Sequence, residues 1–182
     1  MNRKIGWSVV LACATLLAAC DDLGDTSMFG DQVVLKDKQV VLSPKGQPKA
    51  YIDANGNLSI NDKPVSVTPE QQALLMAYYM DVADVHHTGT EMGKAGGKVA
   101  IQALAHAASS AEGKAAEQTA QQLSDMGMKI CKDTAAIKTV QDQLGAQLPA
   151  FKPYAGIVSD ASVSDCMDEH KEDSDGKPGK DA

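Results

Sequence analysis

Few side chains in this 182-residue chain are thiols or imidazoles, the groups that combine nucleophilic or basic character with metal binding near neutral pH. They are four cysteines (Cys13, Cys20, Cys131, Cys166) and four histidines (His86, His87, His106, His170). A catalytic or metal centre requires several such groups to converge at fixed spacing. His86 and His87 are adjacent, so on a helix they point about 100° apart and do not readily share one ion. Asp81, Asp84 and Glu91 are near, but there is no His-x3-His or HExxH spacing. No GxSxG elbow, Walker loop or glycine-rich phosphate cradle follows a predicted strand. The Gly93-x-x-Gly96-Gly97 run falls inside a predicted helix, whose amides are already used. Asp53, Asn55 and Asn57 match the first three ligand positions of an EF-hand-like loop, but Leu58 stands where that loop needs glycine and Pro64 where it needs an acid. Turn chemistry accounts for the run instead. These residues lead to the expectation of no catalytic residue, no metal site and no cofactor, hence a non-enzymatic protein.

Cys20 has a different context. Met1-Asn2-Arg3-Lys4 is basic, and an apolar run follows from Ile5 to Ala19. As a helix, fifteen residues span about 22 Å, short of the ~30 Å hydrocarbon layer of a bilayer. This length and charge order fit a secretory signal peptide over residues 1–19. The run closes on Leu17-Ala18-Ala19-Cys20, which looks like a bacterial lipobox, and that likeness implies acyl chains on Cys20. One chain anchors marginally, and two or three hold a protein on the membrane. The expected location is therefore the bacterial cell envelope, membrane-anchored and facing the periplasm. Asp21, directly after the cysteine, resembles an inner-membrane retention signal of enteric bacteria, but inner and outer membrane both stay open. Residues 20–31 hold two glycines and no periodicity and read as a flexible tether.

With Cys13 in the signal and Cys20 acylated, Cys131 and Cys166 remain as an even pair in an oxidising compartment. They read as a disulfide. Their separation does not suit a zinc knuckle, and neither a CxxC nor a nearby paired histidine supports one. The net charge of −7 becomes −9 once Arg3 and Lys4 leave with the signal, and every remaining basic residue is lysine. Nothing supplies the basic patch or arginine forks of a nucleic-acid binder, so no nucleic-acid partner is expected.

The elements that must carry these residues follow from turns and periodicity. Between 32 and 67, short apolar runs alternate with Lys36-Asp37-Lys38, Pro44-Lys45-Gly46, Asp53-Ala54-Asn55-Gly56-Asn57 and Asn61-Asp62-Lys63, which predicts an antiparallel meander of four or five strands. Thr68, Pro69 and Gln71 form a capping box at a helix start. Leu75, Tyr78, Val82, Val85, Met92 and Val99 continue as an apolar stripe to about residue 108. Gly89, Gly93 and Gly97 repeat every fourth residue in this helix, and ten alanines lie between 95 and 120. Each interior glycine costs ~1 kcal/mol relative to alanine, so the row calls for a compensating contact. Three contacts are open: packing of two helices within the chain, a partner protein or second copy, or membrane insertion. Glu91, Lys94 and Lys98 argue against insertion.

Ser109 and Glu112 predict a break before a second helix that runs to about Cys131. Asp133 is the expected cap of a third helix, which Pro149 stops. The aromatics of Pro149–Tyr154 are expected to pack on the core from an ordered turn, and residues 167–182 read as a disordered charged tail. The fold class is α+β: one domain, 32–166, with the meander packed against a long Ala/Gly-rich helical hairpin or three-helix bundle over 69–148.

The segments IDANGNLSINDKPVSVTPEQQALLMAYY (52–79) and QDQLGAQLPAFKPYAGIV (141–158), between a lipobox and the second cysteine of a pair, resemble the YggN family of bacterial envelope proteins, a domain of unknown function (DUF2884). The likeness covers roughly residues 39–166. It implies an exported Gram-negative envelope protein and brings no reaction, ligand or catalytic residue. The function expected is a lipid-anchored structural or protein-interaction module that contacts the membrane through Cys20 and a partner through the small-residue face. The alternative is a carrier of an apolar ligand or lipid in a cavity between sheet and helices.

Overall fold

A computed structural model describes residues 26–106 and 113–174. Six strands come first: β1 (Thr26–Met28), β2 (Val33–Lys36), β3 (Gln39–Leu42), β4 (Ala50–Asp53), β5 (Leu58–Ile60) and β6 (Lys63–Pro64). Three helices follow, α1 (Pro69–His106), α2 (Gly113–Gln147) and α3 (Asp160–Ser174), with a 3-10 turn at Pro149–Tyr154 before the last. The strands pair in chain order, each antiparallel to the next. The α+β class read from the sequence is the class observed.

Tight turns set the sheet register. Asp37 and Lys38, and again Asn61 and Asp62, both have positive φ, the two-residue hairpin geometry whose twist matches that of the flanking strands. Register then carries side chains into rows. Leu35, Val40, Ile52 and Leu58 stand opposite one another in one row, and Val33, Leu42, Ala50 and Ile60 in the next. Because alternate residues of a strand face opposite sides, both rows share one face. Val33, Val40, Leu42, Ala50 and Ile52 on it are fully buried.

That face packs on the base of the helical hairpin. Leu75, Tyr78, Val82 and Val85 of α1 and Ile137, Leu144 and Leu148 of α2 are buried with it. Phe151 closes the core edge-on against Tyr78, with ring centroids 5.9 Å apart, and Tyr154 lies 5.8 Å beyond it. The Tyr154 hydroxyl donates to the Pro48 carbonyl at 2.8 Å, joining the end of the hairpin to the β3–β4 loop. Gln141 is fully buried and uses its whole amide: Nε2 donates to the carbonyls of Ala155 (2.8 Å) and Val158 (2.9 Å), and Oε1 accepts from Val158 N–H (3.0 Å).

The start of α1 is capped reciprocally. Gln71 N–H donates to Thr68 Oγ1, and Thr68 N–H donates to Gln71 Oε1. Gln71 Nε2 reaches across to the Gln147 carbonyl at 2.7 Å, so the start of α1 lies beside the end of α2. In the β4–β5 turn, Asp53 Oδ1 accepts from the amides of Asn55 and Asn57 and Oδ2 from the Asn57 side chain, at 2.8–2.9 Å. Partial burial alone would raise the Asp53 carboxyl, but these hydrogen bonds outweigh it and hold it below the usual range.

Several expectations need correction. The segment read as a tether contains β1, paired to β2 from Thr26 to Met28, so there are six strands. Pairing to a neighbour forms this strand, since its own three residues carry no alternating signal. The break expected near Cys131 does not occur. Asp133 pairs with Lys129 one turn earlier at 2.6 Å instead of capping a new helix, and α2 runs unbroken to Gln147. A two-helix hairpin therefore stands where three helices were one option. The segment from 167 is helical as far as Ser174, in α3, which packs on α2 and is capped by Ser162 N–H donating to Ser159 Oγ. The break at Ser109 and Glu112, the signal over 1–19, Cys20 and the last eight residues lie outside the described residues.

Gly56 sits buried where the β4–β5 turn meets α1, at φ +73°. A Cβ there would run into the Gln72 carbonyl oxygen and lie 2.8 Å from Met76 Cγ. Gly56→Ala should lower unfolding free energy by about 3 kcal/mol, from left-handed strain plus backbone overlap. Gly46→Ala, at φ +77° with open space around it, should cost only about 1 kcal/mol. Urea unfolding of both variants measures the difference, and equal losses would refute the close approach to α1.

Candidate functional site

Away from the sheet the hairpin changes character. Strands of four residues cover about 13 Å, whereas the 38 residues of α1 span about 57 Å. Among the described side chains, the last buried residue of α1 is Thr88, and beyond it the two helices flank a groove of about 410 Å³. Glu91, Lys94, Ala95 and Lys98 of α1 line it with Thr119, Gln122 and Met126 of α2. Its functional groups are one carboxylate, two ammonium groups, a hydroxyl and an amide. That set suits hydrogen bonding and charge pairing, and it contains no imidazole or thiol.

The glycine row is not part of the groove's lining, and among the described residues no side chain packs closely on it. Gly93 and Gly97 are exposed and Gly89 is half-buried. A Cβ added at any of the three would meet nothing within 4 Å. Among the described residues, no neighbour makes the close intrachain contact that was one of the three readings of the row. The glycines that do admit a neighbour are others. Gly127 faces His170, and a Cβ on Gly145 would lie 2.5 Å from that of Ala155.

Cys131 and Cys166, read from the sequence as a pair, are joined by a disulfide between α2 and α3, with Cα atoms 5.6 Å apart. Cys131 is buried and Cys166 half-buried. The His170 imidazole stands beside them, and one ligand atom from each of Cys131, Cys166 and His170 lies within 4.8 Å of the others. Sequence reasoning did not find this cluster. Its signal was the four-residue spacing from Cys166 to His170, which puts both on one helix face, but that segment was read as tail. His86 and His87 stand apart: exposed His87 meets Glu91 at 3.5 Å, and His86 is half-buried on the same helix.

Charges cluster along the middle of the hairpin. Burial first, then the neighbouring Asp133 and Asp84, pushes the Asp81 carboxyl above its usual range. A hydrogen bond to Asp133 raises Lys129 against a smaller opposing effect of burial. Lys138 bridges Asp142 and Asp160, at 2.5 and 3.2 Å, and so links α2 to the start of α3.

The architecture is thus an α+β protein, a six-stranded meander on the base of a long helical hairpin, with a polar groove further along and a sulfur bridge to a third helix. Residues 28–119 match the family described as a protein of unknown function (DUF2884), and the chain belongs to that family. The match runs from the end of β1 into the start of α2 and contains the glycine row. It stops short of Gln141, both bridged cysteines and His170. Neither the curated proteins nor the solved structures contain a match.

Two outcomes follow. The bridge closes a loop of 35 positions, so Cys166→Ser should lower unfolding free energy by about 4 kcal/mol on the chain-entropy model, read by denaturant titration of oxidised wild type and variant. Asp81 has a folded-state pKa above its unfolded value, so its ionisation destabilises the fold as pH rises through that interval. Asp81→Asn should therefore raise the melting temperature at pH 7, by an amount equivalent to about 0.5 kcal/mol for relief of like-charge contact, and leave it unchanged at pH 3.

Proposed function

We propose that the protein is a lipid-anchored module of the bacterial cell envelope, facing the periplasm, whose work is to hold a helix of another protein or of a second copy against α1. The observation that carries this reading is the open glycine row. Gly89, Gly93 and Gly97 lie on a helix where glycine is unfavourable, and no side chain of the described residues lies where their Cβ atoms would be. Small residues at this spacing allow close backbone approach by another helix. The groove, on another face of the same part of α1, adds polar groups of both signs at which a partner could also be recognised.

The anchor rests on the sequence: the basic start, the apolar run and Leu17-Ala18-Ala19-Cys20. Acyl chains on Cys20 would supply the attachment. None of the described helices is long and apolar enough to cross a membrane. The disulfide suits an oxidising compartment. A carrier of apolar ligands is less well supported, since the groove is lined largely by polar and charged side chains and the sheet–helix interface by closely buried aromatic and aliphatic ones.

Cells expressing the full chain and grown with labelled palmitate should yield a labelled, membrane-sedimenting product, and Cys20→Ser should abolish the label. An unlabelled wild type would overturn the anchor. Amine cross-linking in whole cells through Lys94 and Lys98 should capture a self-contact or a partner, and Gly93→Leu should reduce that product at least about tenfold, as expected for loss of ~1.4 kcal/mol or more of binding. An undiminished product would overturn the docking face.

A further inference from the structure

We propose that the pocket between α2 and α3 is a redox-gated site for a thiophilic divalent cation of the zinc type, with Cys131, Cys166 and His170 as its ligands once the disulfide is reduced. This is independent of the anchor and of the glycine face. The three ligand atoms already lie within 4.8 Å of one another. A tetrahedral zinc bound at about 2.0–2.3 Å spaces its ligand atoms roughly 3.5 Å apart. Opening the S–S bond and drawing the imidazole inward are movements of that small order. Two thiolates with an imidazole select a zinc-like ion over magnesium or calcium, which take oxygen ligands. Three protein ligands leave a fourth position for water, as in open zinc sites.

The ring has a seat built for it. Gly127 lies one turn before Cys131 on α2 and is buried. A Cβ there would lie 2.9 Å from both ring nitrogens of His170 and nearer still to Cε1. Glycine at 127 thus admits the imidazole between the helices at the level of the sulfurs. Contacts other than the bridge also dock α3: Val163 packs against the core, and Asp160 pairs with Lys138 at 3.2 Å. These contacts would hold the ligands together after reduction.

The chemistry balances with a dithiol as reductant. It delivers two electrons and two protons to the Cys131–Cys166 bond, which opens to two thiols while the dithiol closes to its own disulfide. The cation then displaces one proton from each thiol, two metal–sulfur bonds form, two protons pass to solvent, and a lone pair of His170 completes the protein's ligands. In the oxidised state both sulfurs are bonded to each other, and no thiolate exists to bind.

Cobalt(II) is the probe. The full chain is reduced with a dithiol, freed of reductant without air and titrated with cobalt. Cys13 and Cys20, where present, are common to every arm. Reduced wild type should release two protons on taking up one cobalt per chain and show sulfur-to-cobalt charge transfer and the visible bands of a tetrahedral site, which zinc then discharges without further proton release. Oxidised wild type and Cys166→Ser should lose them. His170→Ala should weaken cobalt binding at least about tenfold. Gly127→Ala, which keeps all three ligands and crowds the ring, should also weaken it, with helix content followed by circular dichroism. Absent bands in the reduced wild type would overturn the proposal, as would equal bands in the oxidised protein or in Cys166→Ser, or unchanged affinity in both His170→Ala and Gly127→Ala.

Discussion

The burial of a single sheet face against one end of a helical hairpin is the constraint from which the rest of the structure follows. Two rows of aliphatic side chains on β2–β5 meet Leu75, Tyr78 and Val82 from α1 and Ile137 and Leu144 from α2. Strands of three or four residues can cover only the first few turns of the 38-residue α1 and the last few of the 35-residue α2. The molecule therefore has two unequal regions. One is a dense aliphatic and aromatic core, and the other is a stretch of hairpin beyond the reach of the sheet. The groove and the exposed glycines belong to the second.

Backbone polar groups near the core are handled locally. After α2 the chain turns sharply between residues 149 and 158, and its buried amide and carbonyl groups need partners. Gln141 supplies three hydrogen bonds from one buried side chain. An apolar residue of similar size would leave those groups unsatisfied, at a cost of about 1–3 kcal/mol for each. Tyr154 does comparable work toward the sheet through Pro48. The turn that joins α2 to α3 is thereby fixed before the disulfide is counted.

Much of this was legible in the residue order, because the signals were local. Asn61-Asp62 and Asp37-Lys38 announced turns, Thr68 and Gln71 announced a cap, and the apolar spacing from Leu75 to Val85 announced the buried face of α1. What failed depended on partners. Asp133 is a plausible cap read alone and an ion-pair partner once Lys129 is one turn away. The polar sequence of α3 has little helical signal of its own, yet a cap at Ser159, the bridge and the contact with α2 hold it. The spacing of Gly89, Gly93 and Gly97 shows where a neighbour could approach, not which one does. His170 was legible only if its segment was already known to be helical.

The last strand bears on the behaviour of the sheet toward its neighbours. β6 ends in Lys63 and Pro64, both exposed, at one margin of the meander. A proline has no amide hydrogen to offer an incoming strand, and a lysine beside it brings a hydrated charge that such a strand would have to accommodate. Continuation of the ladder by a foreign or misfolded polypeptide is blocked on that flank by two residues. At high local concentration, this keeps the aliphatic rows of the sheet committed to a single chain and guards against fibrous stacking through that margin.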